Sequence, residues 1–151
     1  MKFNFSALFV SALLMASCSS TQSVLEVTSF KTKSTANTTA FNRLDAEVES
    51  NFTSKQKGFV KRLSGVNENG EYVVLVYWET LVDAEASMKK FMADPSVANY
   101  ASMIDASTMK MARYTIEDQF KAANSDFVEL MSFDTKAGTQ LDNFNATNKR
   151  V

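Results

Sequence analysis

From Glu71 to Glu79 the chain runs Glu-Tyr-Val-Val-Leu-Val-Tyr-Trp-Glu, with no polar side chain between the flanking acids. β-Branched and aromatic residues dominate, so the stretch predicts a strand. Tyr72, Val74, Val76 and Trp78 then point one way, and Val73, Leu75 and Tyr77 the other. A strand in a sheet with one wet face alternates apolar and polar; this one is apolar on both faces, so both must be covered. That requirement restricts the architecture more than any other feature of the sequence.

The flanking segments supply the rest of a sheet. Val24 to Lys33 predicts a first strand ending in Ser34-Thr35-Ala36-Asn37. Thr38 or Thr39 can cap a helix in which Phe41, Leu44, Val48 and Phe52 share one face, with Arg43, Asp45, Glu47 and Glu49 expected on the exposed side. Gly58 opens a second strand through Leu63. Asn67-Glu68-Asn69-Gly70 predicts a hairpin turn, since Asn-Gly readily takes positive φ. Asp83 is expected to cap a second helix with Ala84, Met88, Phe91 and Met92 facing inward, and Pro95 to stop it. A helical turn over Val97 to Ile104 and a fourth strand from about Thr108 to Ile116 complete the order strand, helix, strand, strand, helix, strand. This is the ferredoxin-like βαββαβ arrangement of the α+β class, with both helices on one face of an antiparallel sheet. Two helices cover one face only, so the other is expected to meet a second sheet, from another chain or another repeat.

A repeat is present. Residues 24–44 aligned without a gap on 127–147 share seven identical positions, among them Phe30 with Phe133 and Phe41 with Phe144. Residues 127–151 are therefore expected to form an extra strand-helix unit repeating the first strand and helix. Either it adds a strand to the complete sheet, or the chain is a truncated tandem protein.

The N-terminus reads as an export signal. Lys2 precedes an apolar run from Phe3 to Met15 that is too short to span a bilayer. Leu14-Met15-Ala16-Ser17-Cys18 resembles the lipobox of bacterial lipoproteins. The resemblance implies a signal peptide over 1–17, lipidation of Cys18 and a polar tether over 18–23. With Ser19 rather than aspartate after the cysteine, an outer-membrane location is the expectation. Removing residues 1–17 takes away Lys2 and no acid, leaving 15 basic and 17 acidic residues, a net charge of −2. No basic cluster offers a nucleic-acid footprint.

Composition removes most catalytic chemistries. Histidine is absent and Cys18 is the sole cysteine, so neither a Ser-His-Asp nor a Cys-His arrangement can be built, and His-based metal sites are excluded. Four glycines provide no phosphate-cradling loop. No cofactor and no metal are expected. Asp83, Glu85, Asp105, Glu117 and Asp118 fit caps and solvated faces better than an acid/base pair. Met88, Met92, Met103, Met109 and Met111 read as core filler.

Gly58-Phe59-Val60, the hairpin, Val74 to Thr80 running into Asp83-Ala84-Glu85-Ala86, Phe91-Met92 and Met103-Ile104-Asp105 together resemble the antibiotic biosynthesis monooxygenase superfamily. With the first strand and helix, the resemblance covers residues 24–118. It implies a dimeric α+β barrel, with a homodimer formed through the sheet face. It also implies a cavity between helices and sheet, lined by aromatic side chains. Some members oxygenate aromatic polyketides without metal or flavin; haem degradation, which needs a helix histidine, is disfavoured here. The implied activity is cofactor-independent oxygenation of a small aromatic or quinone-like compound. The alternative is a non-catalytic ligand-binding or assembly module. Trp78 would stack on a substrate, with Tyr77, Tyr72, Asn99 or Tyr100 supplying hydrogen bonds; the simpler role for Trp78 is a core wedge between sheet and second helix.

Overall fold

The computed structural model describes residues 22–117 and 128–148. The expected signal peptide, Cys18 and most of the tether lie outside the described residues, as do Asp118 and Phe127. The elements are β1 (Val24–Thr32), α1 (Thr38–Asn51), β2 (Phe59–Val66), β3 (Glu71–Trp78), α2 (Leu81–Phe91), α3 (Ala98–Ser102), β4 (Ile104–Thr115) and α4 (Leu141–Asn148). Short 3-10 turns cover Thr53–Lys55 and Pro95–Val97. The four strands pair antiparallel in the order β2-β3-β1-β4, the ferredoxin-like topology expected from the sequence.

In register, Val24 faces Trp78, Glu26 faces Val76, Thr28 faces Val74 and Phe30 faces Tyr72. These residues share the face on which the helices sit. Phe41, Val48 and Phe52 from α1 and Ala84 from α2 join Val24, Phe30, Tyr72, Val74, Val76 and Trp78 in one cluster. Its centre is aromatic: Phe30 stacks on Tyr72 at 5.8 Å, and Phe41 on Tyr100 at 5.0 Å. On the opposite face Val27 and Leu75 are cross-strand neighbours, buried yet outside that cluster. Half-buried Leu25, Val73, Tyr77 and Leu63 surround them.

Several local expectations are corrected. The α1 cap is Asn37, whose side chain accepts from the Ala40 N–H at 2.9 Å, rather than Thr38 or Thr39. The α2 cap is Thr80, three residues ahead of Asp83; its hydroxyl oxygen accepts from the Asp83 N–H at 3.1 Å. Asp83 is the third helical residue, and its carboxylate accepts from the Thr80 hydroxyl at 2.6 Å, so the two residues are linked through both backbone and side chain. In the hairpin only Gly70 takes positive φ; Asn69 does not. The Asn67 carboxamide instead fastens the turn by accepting from the N–H groups of Asn69 and Glu71. β4 starts at Ile104, four residues earlier than expected, because α3 ends at Ser102.

Asp45, placed on the solvent side by the sequence, is buried. It binds Arg62 of β2 in a two-pronged ion pair and accepts from the Ser64 hydroxyl. Arg62 also donates to the Asp45 backbone carbonyl at 3.2 Å. Core filler describes the methionines poorly: Met92 is 79% exposed, Met109 43% and Met111 38%, while Met88 and Met103 are half-buried. Met92 is the C-cap residue of α2, one past its last helical residue, where it borders the space under the helix yet stays largely in water.

Gly58 is constrained from two sides. It adopts φ +72°, and a Cβ placed there would lie 2.5 Å from an Asp83 carboxylate oxygen. Its carbonyl accepts from the Glu79 N–H at 2.8 Å, holding β2 against the start of α2. Gly58→Ala is expected to lower unfolding free energy by roughly 1–3 kcal/mol from backbone strain, before the clash is added. Urea denaturation against wild type measures this; an unchanged midpoint contradicts it.

The C-terminal segment departs from expectation in its strand. Residues 128–136 form no strand among the described residues, because no neighbouring strand hydrogen-bonds to them. The local geometry of β1-α1 is nevertheless reproduced 103 positions on. Phe133 and Phe144 meet edge-to-face at 6.1 Å and 71°, as Phe30 and Phe41 do at 6.0 Å and 71°. The turn bond from Thr139 N–H to the Lys136 carbonyl, 3.0 Å, matches that from Ala36 to Lys33, 2.9 Å. The first helical bonds, Phe144 to Gln140 and Phe41 to Asn37, correspond as well. Without a sheet to rest on, Val128, Leu130, Met131 and Phe133 are half to three-quarters exposed.

Candidate functional site

The space between the sheet and the two helices is incompletely filled. A cavity of about 100 Å3 lies there. β1 contributes Glu26, Thr28 and Phe30, β3 contributes Val74, Val76 and Trp78, and α1 contributes Val48. Met88, Phe91 and Met92 close it from the α2 side, and Met109 and Met111 from β4. Arg62 and Tyr100 reach the same space. The lining is overwhelmingly apolar with a few polar groups, the usual composition of a small-molecule site.

Glu26 is the most informative of those groups. The parity of β1 puts it on the same face as Val24 and Phe30, and the side chain is 4% exposed. Burial raises its pKa above the ordinary carboxylate value. Arg113, whose Nε donates to Oε2 at 2.6 Å, pulls in the opposite direction without cancelling burial. The Trp78 N–H, near Glu26 but outside hydrogen-bond geometry, lowers it a little further. A carboxylate held in an apolar cavity is a stronger base than one in water.

Trp78 is a core residue that also borders the cavity. Only 1% exposed and edge-to-face with Phe59 at 6.0 Å, it is a core residue. It also lines the cavity, and its Nε1 is buried without a hydrogen-bond partner in the protein. An unsatisfied buried donor costs about 1–3 kcal/mol, which a ligand oxygen would recover.

Tyr100 is the other sequence-derived candidate that reaches the cavity. Burial, reinforced by the Asp45 charge, pushes its phenol far up, so it stays protonated and serves as a donor. Tyr72 lies on the helix-facing side but outside the cavity lining; its hydroxyl donates to the Asn42 carboxamide at 2.8 Å, and burial raises its pKa too. Tyr77 is on the opposite face of the sheet, with the Lys61 ammonium 5.5 Å from its ring centre. Asn99 is exposed on α3, where its carbonyl accepts from the Ser102 hydroxyl. These three do not reach the cavity.

Glu26 and Arg62 were not among the sequence candidates. One signal was available for Glu26. It recurs as Glu129 in the repeat, alongside the two phenylalanines that organise the core. Among the described residues no cluster of His, Cys, Asp and Glu is arranged to hold a metal ion. No helix among them is long and apolar enough to cross a membrane.

No protein-family model matches the sequence, and no curated protein matches it significantly. Solved structures do resemble it. SnoaB, a cofactor-independent oxygenase from Streptomyces nogalater, superposes with a TM-score of 0.52 at 16% identity, covering 67% of this chain and 99% of that one. A protein from Caulobacter crescentus assigned to the antibiotic biosynthesis monooxygenases gives 0.53 at 12% identity, covering 66% and 93%. Another so assigned, from Chloroflexus aurantiacus, gives 0.50 at 10% identity, covering 66% and 97%. The chain therefore has the fold shared by these proteins.

Proposed function

We propose that this protein is a cofactor-independent monooxygenase-like enzyme of the antibiotic biosynthesis monooxygenase superfamily. Its substrate would be a small aromatic or quinone-like compound. Attachment to the cell envelope, through lipidation of Cys18, belongs to the same proposal and rests on the sequence from Leu14 to Cys18. The observation that carries the enzymatic reading is a buried carboxylate of raised basicity, Glu26, beside an unpartnered indole N–H in an apolar cavity.

In this reading Glu26 accepts a proton from a phenolic hydroxyl, and the Trp78 N–H binds an oxygen of the resulting anion. The electron-rich anion reduces oxygen directly. For a hydroquinone, one oxygen atom enters the ring to give a hydroxyquinone and the other leaves as water, so the atoms and electrons balance without an added reductant. The protein binds, orients and dehydrates the reactant. Cavity volume bears on substrate size. An apolar cavity of about 150 Å3 holds benzene in another protein; the space here is about 100 Å3, so even a single ring would enter only with displacement of the methionines, and anything larger is disfavoured.

Oxygen uptake with a panel of hydroquinones and larger anthrone-type compounds tests this. Single-ring substrates are expected to turn over, with Trp78→Phe raising KM severalfold by removing the N–H while keeping the ring. The absence of turnover across the panel would reject the enzymatic reading.

A non-catalytic assembly role draws on a different observation, the apolar outer face around Val27 and Leu75. A homodimer through this face is part of the proposal in either case. Sedimentation of the chain carrying Cys18→Ser is expected to show concentration-dependent dimers, and a strictly monomeric protein at high concentration contradicts the pairing.

A further inference from the structure

Four methionines border the cavity, and core packing does not account for them. Met88 and Met92 stand four residues apart near the end of α2, and Met109 and Met111 stand two apart on β4. Helical spacing of four and strand spacing of two each put a pair on one face. All four side chains line the same opening, although Met92, Met109 and Met111 are 38–79% exposed. Large apolar side chains left partly in water around one cavity point to an occupant that would cover them.

Thioether sulfur is a soft, uncharged donor. It is a poor ligand for zinc, calcium or magnesium and a good one for monovalent copper. The neighbouring lysines do not oppose a cation directly. Lys89 neighbours Met92 at a spacing of three but is exposed to solvent, Lys90 is turned away from the face shared by Met88 and Met92, and strand parity puts Lys110 on the other side of β4. The Glu26 carboxylate is the nearest formal negative charge in the cavity, and Arg113 already holds it.

We propose that Met88, Met92, Met109 and Met111 form a binding site for Cu(I) at the cavity mouth. The proposal is independent of the oxygenase reading, which uses Glu26 and Trp78 deeper in the cavity. Unlike carboxylate, thiolate or imidazole, a thioether has no proton to lose on binding a metal, so affinity should not change with pH in the acid range.

The test is Cu(I) titration of the full-length chain carrying Cys18→Ser, in competition with bicinchoninate under reducing, oxygen-free conditions. Silver(I) serves as a redox-stable second probe. Withdrawal of a single equivalent from the chelator, with the same metal affinity at pH 5 and pH 7 once chelator protonation is corrected, is expected. Met88→Leu/Met92→Leu and Met109→Leu/Met111→Leu should each weaken binding by more than about 100-fold, beyond what losing a mere supporting group costs. Leucine conserves volume and apolarity, so the fold should survive; circular dichroism checks this. Absence of Cu(I) and Ag(I) binding overturns the site. So does binding that persists in both double variants, or binding lost instead in Glu26→Gln. The methionines would then be an adaptable apolar lip and nothing more.

Discussion

Alanine in place of Asp45 is expected to lower the unfolding free energy by about 3–5 kcal/mol, the usual consequence of stranding one member of a buried ion pair. The partner left behind is Arg62, whose side chain is 5% exposed. Its guanidinium would lose both carboxylate contacts, and Ser64 would lose its acceptor. Water cannot readily replace them between α1 and β2. The size of the effect comes from the stranded cation more than from the lost attraction, and a second variant separates the two. Asp45→Leu combined with Arg62→Met removes both charges and should recover most of the stability, because well-packed apolar residues replace a buried pair at little or no net cost. Urea denaturation of the single and double variants measures both. A single variant within 1 kcal/mol of wild type, well under the roughly 3 kcal/mol floor for such pairs, would mean that the network is solvated in solution.

Glu26→Gln should abolish most of the proposed oxygenation, lowering kcat/KM by about 100- to 10,000-fold, the range general-base catalysis supplies. The amide keeps the shape and loses the base. In wild type the rate should rise with pH as Glu26 ionises, with a midpoint above the ordinary value of 4.5. Stability should move the opposite way. A carboxyl whose folded pKa is raised binds its proton more tightly in the fold than in the unfolded chain. Its stabilising contribution is therefore complete below about 4.5 and is lost as pH rises through the folded value. Thermal midpoints of wild type relative to Glu26→Gln should fall across that window. A difference independent of pH would mean that burial does not perturb Glu26, and a variant with full activity would remove it as the base.

The framework was legible because it rests on local pattern. The double-sided apolar run of β3, the spacing of Phe41, Leu44, Val48 and Phe52, and the Asn-Gly turn each report on a short stretch of chain, and each appears in the fold. Asp45 was misplaced even though it stands four residues after Phe41, on the inner face of the same helix. Its charge argued for water, and only the arrival of Arg62 from another strand, 17 residues away, reverses that. Met92 borders the cavity as its spacing from Met88 implies, but at the very end of α2 little covers it and it stays 79% exposed. The strand expected over residues 127–136 had the composition of β1 but not its neighbours. Strand propensity depends on pairing, whereas a turn and a helix satisfy their hydrogen bonds internally. Accordingly the turn and helix of the repeat persist and the ladder does not.

By itself the sequence determined the order of elements, the parity of each strand and the absence of histidine chemistry. Tertiary structure alone decided that Glu26 and Trp78 would face one cavity, that Tyr77 would not, and that four methionines would border it. The physical reason is that periodicity fixes which residues share a face, while closure of that face against water depends on elements distant in sequence. Burial is what raises a carboxyl's basicity and leaves an indole N–H unpartnered, and burial belongs to the packed chain rather than to any segment of it.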